Sequence, residues 1–596
     1  MKPIFLIILA LYCFLPLHAQ NTTRNDSLVN REMTLEREYS PTIRDAVKLG
    51  QLPELREPQA PESNVEFSNY EIPYGVQSKL FPLSPQAYLT RLNYSKYKGY
   101  LTGGISSLID INGDFGYQIL NTDKDRMNIF ISHRSSGCDI TYLQDELLED
   151  DMRRFKINDN WGGLNYRHDF GDIKFLADAK YTYSAFNYYG LSIPYYIYYI
   201  MPGPLPNNNF DKTINQVNQM FETHMGVSSE KASALNYKVN IGYTNFQQKY
   251  GNKINESGSR ENRILIDGDI HQLATSTMGI GLSGSIKTYS YSEPFRILND
   301  STTNYWIFSL NPYFYWEDGN LSLILGAKMD VEVEGREKKI AYPVIRLNYS
   351  PSDRFMLYLL TDGGRKDNSQ YNLFYENRYL DPLIRVMDSR SPLDATAGVK
   401  FMPLSTLSVG IFGGYKITKD EHFVYPNKGS KNNFDDAAVL AGNWITPFYE
   451  DANTVKLGAD FKYAYQDIFE LGLKGTYYQW TLSSDKYPEN AVLHKAWNKP
   501  DFEMNLNAAY SSPWIPFRFD LSYLGAYGRK AAGDTELSTI IKMNDIHDLS
   551  LKGTYSFTPN FSVYASLNNV LFSKYDFWWG YPAQGFNILG GLSVLF

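Results

Sequence analysis

The chain has 596 residues, a formal net charge of −8 and 43% hydrophobic residues. Aromatic residues make up 15% of it, including 48 tyrosines, and glycine occurs 43 times. This composition favours strands and turns over helices, and the acidic charge argues against a nucleic-acid partner.

The first segment, residues 1–19, has the pattern of a secretory signal peptide. Lys2 precedes an apolar run, and the small residue Ala19 offers a cleavage site at or one residue after its position. No later run of about 20 apolar residues occurs, so we predict no spanning helix. Because Cys13 leaves with the signal, Cys138 is the one cysteine of the mature chain, and we predict no internal disulfide and no cysteine metal site.

The second segment, residues 20–97, is charged and rich in proline and glutamate, and it has no alternating pattern. We predict a mostly irregular periplasmic extension. One interpretation is a flexible segment that carries no binding function. The other is a docking segment for a periplasmic or surface lipoprotein, in which residues 34–39 add as a strand to the partner's sheet.

The third segment, residues 98–596, alternates apolar and polar residues in stretches of about ten. In residues 548–557, for example, Leu549, Leu551 and Tyr555 share one face, while Ser550 and Lys552 share the other. A period of two predicts strands with two unlike faces. In a transmembrane β-barrel the apolar face meets lipid, the polar face meets a wet lumen, and closure leaves no unpaired backbone in the membrane.

The connections between these stretches predict the strand number. Ten of these connections are short and would lie on one side of the membrane. They require eleven connections on the other side, which are mostly longer. We therefore predict about 22 antiparallel strands with both termini periplasmic. The short connections are predicted at residues 121–125, 170–172, 228–232, 272–275, 317–320, 351–353, 403–405, 466–467, 513–516 and 558–560. We therefore predict an all-β outer-membrane barrel of a Gram-negative cell. A barrel of 22 strands encloses a lumen that is normally plugged.

Candidate binding residues are aromatic. The stretch YYGLSIPYYIYYI at residues 188–200 and the pair WW at residues 578–579 lie in predicted outer loops, where aromatic faces suit contact with a ligand or a partner. The alternative is that these side chains extend the outer aromatic girdle. The candidates are Tyr188, Tyr189, Tyr195, Tyr196, Tyr198, Tyr199, Trp578 and Trp579.

No motif predicts an enzyme, a metal site or a cofactor. The eight histidines are scattered, and none has a second histidine at ligand spacing. The stretch GIGLSG at residues 279–284 matches a dinucleotide-binding spacing, but it lies inside a predicted strand and no helix follows it. The acidic stretch at residues 144–151 lacks the glycine and the ligand spacing of a calcium loop.

The C-terminal region resembles the last hairpin of TonB-dependent receptors. The matching positions are Asn568, Asn569, Leu571, Phe572, Tyr581, Pro582, Gly585 and Phe596. The stretch EREYSPTIRDAVKL at residues 36–49 is similar to the start of such barrels of the Bacteroidota type. The resemblance implies a receptor barrel over residues 98–596. Family members also carry an N-terminal plug domain and a TonB box, and residues 20–97 show no pattern typical of either.

These observations support two hypotheses about function. The first is a receptor-type barrel that transports or binds a solute at the outer membrane. The second is a non-transporting scaffold barrel within a larger outer-membrane complex. In both, the expected contacts include outer-membrane lipid and lipopolysaccharide, and the barrel-insertion machinery.

The last residue, Phe596, gives a first prediction. In the final strand Ile588, Leu592 and Phe596 share the predicted lipid face, and an ending of this kind resembles the signal that the insertion machinery reads. We expect Phe596→Ser to reduce the amount of protein in the outer membrane several-fold, measured by immunoblotting of membrane fractions. Unchanged levels would argue against this role.

Overall fold

The computed structural model describes residues 97–143, 152–190, 214–229, 235–251, 257–292, 304–334, 339–384, 386–426, 444–483, 494–532 and 540–596. The predicted signal peptide and nearly all of the predicted extension lie outside the described residues. Within the described ranges, no helix combines the length and the apolar character that a membrane-crossing helix needs.

The described chain forms a closed antiparallel barrel of 22 strands, as predicted. The strands are β1 Gly99–Ser106, β2 Ile111–Asn121, β3 Asp125–Thr141, β4 Met152–Asp169, β5 Ile173–Tyr188, β6 Ile214–Ser229, β7 Leu235–Gln248, β8 Arg260–Leu273, β9 Met278–Tyr291, β10 Asn304–Asp318, β11 Leu321–Val333, β12 Lys339–Ser352, β13 Phe355–Asp362, β14 Ser389–Leu404, β15 Leu407–Pro426, β16 Ile445–Tyr465, β17 Phe469–Ser483, β18 Phe502–Ser511, β19 Phe517–Tyr527, β20 Ile546–Thr558, β21 Phe561–Asn568 and β22 Asn587–Leu595.

Shorter elements lie at one end of the barrel. The strand Gly364–Lys366 continues β13 and pairs with β14. Two small hairpins pair Lys530–Ala532 with Ile540–Lys542, and Asp576–Trp578 with Tyr581–Pro582. The helix α1, Gln370–Glu376, lies between β13 and β14. We call this end of the barrel the long-loop end.

Each barrel strand pairs with its neighbour in sequence, and β1 pairs with β22 to close the sheet. Gly99 and Phe596 exchange two backbone hydrogen bonds at this seam, of 2.8 and 2.9 Å. All ten predicted short connections fall between an even-numbered strand and the next odd-numbered one. Therefore β1 begins, and β22 ends, at the end of the barrel that carries the short connections. We call this end the short-turn end.

The two faces of the sheet have the predicted characters. On β20, the apolar side chains of Tyr555 and Phe557 are exposed on the outside, while Asp548 and Ser550 are buried towards the interior. The final strand follows the same rule, because Ile588 and Leu592 are exposed whereas Asn587 and Leu589 are buried. A sheet whose exposed face is apolar suits a lipid surround.

Aromatic side chains on the interior face lie over glycines of the adjacent strand. A Cβ atom on any of these glycines would overlap the neighbouring ring. The pairs include Tyr564 with Gly591, Tyr313 with Gly281, and Tyr358 with Gly398. At Gly591 the carbonyl oxygen of Gly103, across the seam, would also lie only 2.5 Å from the added Cβ. The seam therefore requires glycine at this position.

The pair Gly590 and Gly591 allows a matched test of this packing. We expect Gly591→Ala to destabilise the barrel by about 1–3 kcal/mol, because the methyl group meets both a ring and the backbone. Thermal unfolding followed by heat-dependent migration on gels would measure the loss. Gly590→Ala is the control, since nothing lies within 4 Å of its Cβ position. Equal stability of the two variants would contradict the packing argument.

Candidate functional site

The connection between β13 and β14 folds into the barrel rather than away from it. We call residues 363–388 the inward loop. Its helix α1 begins at Ser369, whose hydroxyl accepts a hydrogen bond from the backbone N–H of Asn372, as N-cap serines commonly do. At the other end, the N–H of Asn377 donates to the carbonyl oxygen of Leu373 at 2.8 Å. A short capped helix thus forms within the loop.

Helix α1 contacts the interior faces of three adjacent strands. A carboxylate oxygen of Glu261 on β8 accepts the N–H of Gln370 at 2.7 Å. The phenol of Tyr371 donates to Glu222 on β6 at 2.8 Å. The ring of Phe374 stacks on Phe246 of β7, with centroids 5.6 Å apart. The helix is therefore attached to the wall by polar and aromatic contacts together.

Ion pairs attach the flanking parts of the inward loop, and those of Arg365 are buried. Arg378 makes two hydrogen bonds to the carboxylate of Asp159 on β4, of 3.1 and 2.9 Å. Asp367 pairs with Lys287 on β9 at 2.9 Å. Arg365 lies between the carboxylates of Glu332 on β11 and Asp388. Bidentate and charge-assisted bonds of this kind fix geometry as well as adding energy.

A further charged group holds the end of helix α1 against β15. One carboxylate oxygen of Glu376 lies 2.9 Å from Nε2 of His422, and the other lies 3.3 Å from Nζ of Lys499. The imidazole of His422 also faces Nζ of Lys366 at 3.2 Å and the carboxylate of Glu421 at 3.4 Å. All five side chains are largely shielded from solvent.

The pKa values of two carboxyl groups of the inward loop, Glu376 and Asp367, reflect these partners. Burial raises the pKa of Glu376, but His422 and Lys499 outweigh it and hold the pKa well below its ordinary value. Burial also raises the pKa of Asp367, but Lys287 outweighs this effect and lowers the pKa of Asp367 to about 2. Both carboxyl groups are therefore ionised at neutral pH.

The partners of the inward loop extend from β4 to β15, halfway around the barrel. A segment can contact strands so far apart only by crossing the lumen. A backbone bridge between Leu380 and Ile445, at the start of β16, fixes its far side. The inward loop therefore closes part of the lumen at the long-loop end.

Three loops meet beneath this closure in one aromatic cluster. Tyr379 of the inward loop stacks on Tyr581 with ring centroids 4.1 Å apart. Tyr189 contacts both rings edge-on, at 5.5 and 5.1 Å. Its hydroxyl donates to the carbonyl oxygen of Pro582, and that of Tyr188 donates to Leu380. We call Phe186, Tyr188, Tyr189, Tyr379 and Tyr581 the aromatic cluster.

The structure places the predicted binding residues in different surroundings. Tyr188 and Tyr189 are buried in the aromatic cluster, so neither ring is open to a solute in this arrangement. Trp578 packs against the larger hydrophobic core that includes the aromatic cluster, and Trp579 packs with Ala531 in a separate small core. The remaining four candidates lie outside the described residues: Tyr195, Tyr196, Tyr198 and Tyr199. Ligand contact by any of these residues stays a prediction.

Phe596 lies at the opposite end of the barrel. Its side chain is about half exposed, and its ring lies 6.1 Å from that of Tyr117 on β2 and 6.4 Å from that of Phe115. These contacts are across the seam and on the outer, apolar face. A role in insertion remains the prediction made from the sequence.

A buried arginine connects two further loops of the long-loop end. Arg529 is fully buried and donates to the carbonyl oxygens of Phe577 at 3.1 Å and Asn544 at 2.9 Å. Burial lowers the pKa of Arg529 to about 10 despite the nearby carboxylate of Asp576. These bonds hold residues 576–582 in place, and thereby support the position of Tyr581.

The site has no arrangement typical of an enzyme or a metal centre. Its carboxylates are paired with Lys, Arg and His or with backbone N–H groups. Within the ranges that the structure describes, no group of three or more His, Cys, Asp or Glu side chains is placed to hold a metal ion. The arrangement closes part of a polar lumen.

Sequence reasoning identified the inward loop only as a long outer connection. The missed signal is its apolar content, since Leu373, Phe374, Tyr379, Leu380 and Ile384 cannot all face water in a surface loop. The charged residues of the inward loop show no recognisable sequence pattern, because their partners on the barrel wall lie far away in sequence.

The closed 22-strand antiparallel barrel matches the fold of outer-membrane receptor barrels. Neither a protein-family model nor the sequence of a curated protein matches the chain. Solved structures do match.

A mutant of the ferric enterobactin receptor of Pseudomonas aeruginosa is 12% identical, with a TM-score of 0.59 over 84% of this chain and 80% of that one. The FrpB iron transporter of Neisseria meningitidis is 9% identical, with a TM-score of 0.61 over 84% and 81%. The siderophore receptor PirA of Acinetobacter baumannii is 10% identical, with a TM-score of 0.61 over 84% and 80%. At these identities the likeness concerns the fold.

The acidic anchors give a prediction about pH. A carboxyl group whose pKa is lowered in the folded state contributes its full stability above its ordinary pKa, and loses it progressively as pH falls from there through the lowered value. Glu376 and Asp367 should therefore hold the inward loop at pH 5.5 nearly as firmly as at pH 7. We expect liposome swelling rates with a neutral sugar to agree within about twofold between these pH values. A rise of tenfold at pH 5.5 would contradict the role of these ion pairs.

Proposed function

We propose that this protein is an outer-membrane receptor-type barrel that transports or binds a polar solute, and that the inward loop is the gate of its lumen. The observation that carries the proposal is the loop's position across the lumen, attached to β4, β6, β8, β9, β11 and β15. The fold likeness to iron and siderophore receptors supports a role in transport or binding.

The chemistry of the lumen supports a polar solute. Basic side chains and carboxylates line the interior, for example Lys456 with Asp394 at 3.7 Å, and Arg518 with Asp520 at 2.9 Å. Mixed charges of this kind favour a wet path over a packed core. They do not select one sign of solute charge.

The contacts of the gate suit a segment that moves. Charged groups that pair in the closed state can be hydrated in a wet lumen when the loop leaves, so their net contribution to closure is modest. In the described part of the chain, the side-chain oxygens of Asn368, Gln370 and Asn372 are buried without a hydrogen-bond partner. Each such group costs roughly 1–3 kcal/mol. The closed state is therefore less favourable than its number of contacts suggests.

The orientation in the membrane follows from the loop lengths. We place the short turns and both chain termini in the periplasm, and the long-loop end with its gate at the cell surface. Outer-membrane lipid and lipopolysaccharide then surround the apolar outer face, and the barrel-insertion machinery assembles the chain. A periplasmic or surface lipoprotein is a further proposed partner, through residues 20–97 or the aromatic loops.

The gate bears on the resemblance to TonB-dependent receptors. Closure of the lumen, which the plug domain performs in that family, is assigned here to a segment between two barrel strands. Energised import that acts on a plug is therefore not part of the proposal. The alternative of a scaffold barrel is not favoured, since a silent scaffold has no need of a gate with buried charges. An enzymatic role is not favoured either.

Conductance in planar bilayers tests the proposal. We expect the intact protein to conduct little, and a variant in which a short Gly-Ser linker replaces residues 367–387 to conduct at least tenfold more. The control removes residues 430–440 from another connection of the same end and should leave conductance low. A folded gate deletion that stays silent would contradict the proposal, as would an intact protein that is already wide open.

A further inference from the structure

The long-loop end carries an exposed apolar surface beside the β1–β22 seam. Ile109, in the turn between β1 and β2, is 61% exposed, and Leu571 and Phe572, after β21, are 50% and 68% exposed. Phe572 stacks on Phe586, with ring centroids 4.8 Å apart. We call Ile109, Leu571, Phe572 and Phe586 the seam patch. Exposed apolar groups of this size usually mark a contact surface.

The backbone of the seam patch is strained in two places. Ile109 has a φ of 61° and Phe572 a φ of 52°, in the left-handed region that β-branched and bulky residues rarely adopt. Asn569 holds the second turn, because its side chain accepts the N–H of Ser573 and donates to the carbonyl oxygen of the same residue, both at 2.9 Å. Backbone strain of this kind is typical of functional positions, and here it exposes apolar side chains on the outside of the barrel.

The height of the barrel wall places the seam patch at the membrane. The seam strands β1, β21 and β22 have 8, 8 and 9 residues, whereas β15 and β16 have 20 and 21. Ten residues separate Phe586 from Phe596. At about 3.4 Å per residue and a tilt of about 40°, they rise roughly 26 Å, close to the height of about 25 Å of the apolar band of such barrels.

The seam patch also continues the lipid-facing surface below it. Ile105 on β1, and Ile588 and Leu592 on β22, are about half exposed on the outer face and lead up to it. The taller wall differs. There Lys419 and Asp451 form an outer-face ion pair, 2.6 Å long, and both strands continue beyond it towards the long-loop end. A charged pair on that face indicates that the tall wall has already left the hydrocarbon.

We infer that the seam patch inserts into the outer leaflet and contacts lipid acyl chains. It thereby extends the apolar band where the wall is too short to supply it. The inference rests on the proposed outer-membrane location. It also has a consequence for the gate, since the same loop carries Tyr581 against Tyr379. One connection thus carries both the seam patch and a contact of the inward loop.

Depth-dependent fluorescence quenching in proteoliposomes tests the inference. In a Cys138→Ala background, single cysteines replace Phe572, Leu592 and Tyr250 and carry an environment-sensitive fluorophore. Leu592 is the membrane control, and Tyr250 is an exposed aromatic residue of the long-loop end outside the seam. We expect the label at position 572 to resemble that at 592, with quenching by brominated acyl chains and at least fivefold less quenching by aqueous iodide than at 250.

The outcomes separate the inference from the function on which it rests. Iodide quenching at 572 equal to that at 250 would overturn the seam-patch contact alone, provided that 592 stays protected. Iodide access at 592 as well would overturn the membrane location itself. Protection of 572 from both quenchers would indicate a protein contact, and would also overturn the lipid contact. The variant Leu571→Cys repeats the measurement without altering a strained residue.

Discussion

The pairing of β1 with β22 is the interaction on which the rest of the structure depends. It closes the sheet, so that each barrel strand has a partner on both sides within the chain, which is the condition for crossing a membrane as strands. Closure also gives each face of the sheet a single environment, because one face points only outwards and the other points only inwards. The glycines at this seam, with Tyr564 packed over Gly591, allow the two strand backbones to approach as closely as the pairing requires.

Once the sheet is closed, its interior face gathers polar side chains, and the inward loop binds to them. Its anchors are side chains of the wall: Asp159, Glu222, Glu261, Lys287 and Glu332. In the proposed open state, water in the lumen would hydrate these same groups. The aromatic cluster supplies the apolar part of the closure and connects it to the loop after β21, which also carries the seam patch.

The strands and turns were predictable from the sequence because they depend on neighbours in the chain. Alternation such as that of Leu549 to Phe557 encodes a strand with two faces, and the short turns follow from turn residues between such stretches. The contacts between the inward loop and the barrel wall were not predictable from the sequence. Arg378 and Asp159 are 219 positions apart, and Tyr371 and Glu222 are 149 positions apart. No local pattern records such pairs. Tyr188 and Tyr189 read as surface aromatics for the same reason, since their burial depends on Tyr379 and Tyr581.

The most direct test of a lumen closed by its own inward loop is a disulfide between that loop and the wall. Leu380 and Ile445 are bridge partners, a geometry within the reach of a disulfide. In a Cys138→Ala background, the double variant Leu380→Cys and Ile445→Cys leaves every charged anchor intact. Mass spectrometry of protein oxidised in the outer membrane should detect the peptide that joins positions 380 and 445. Its absence, with both cysteines free to react after unfolding, would contradict the account.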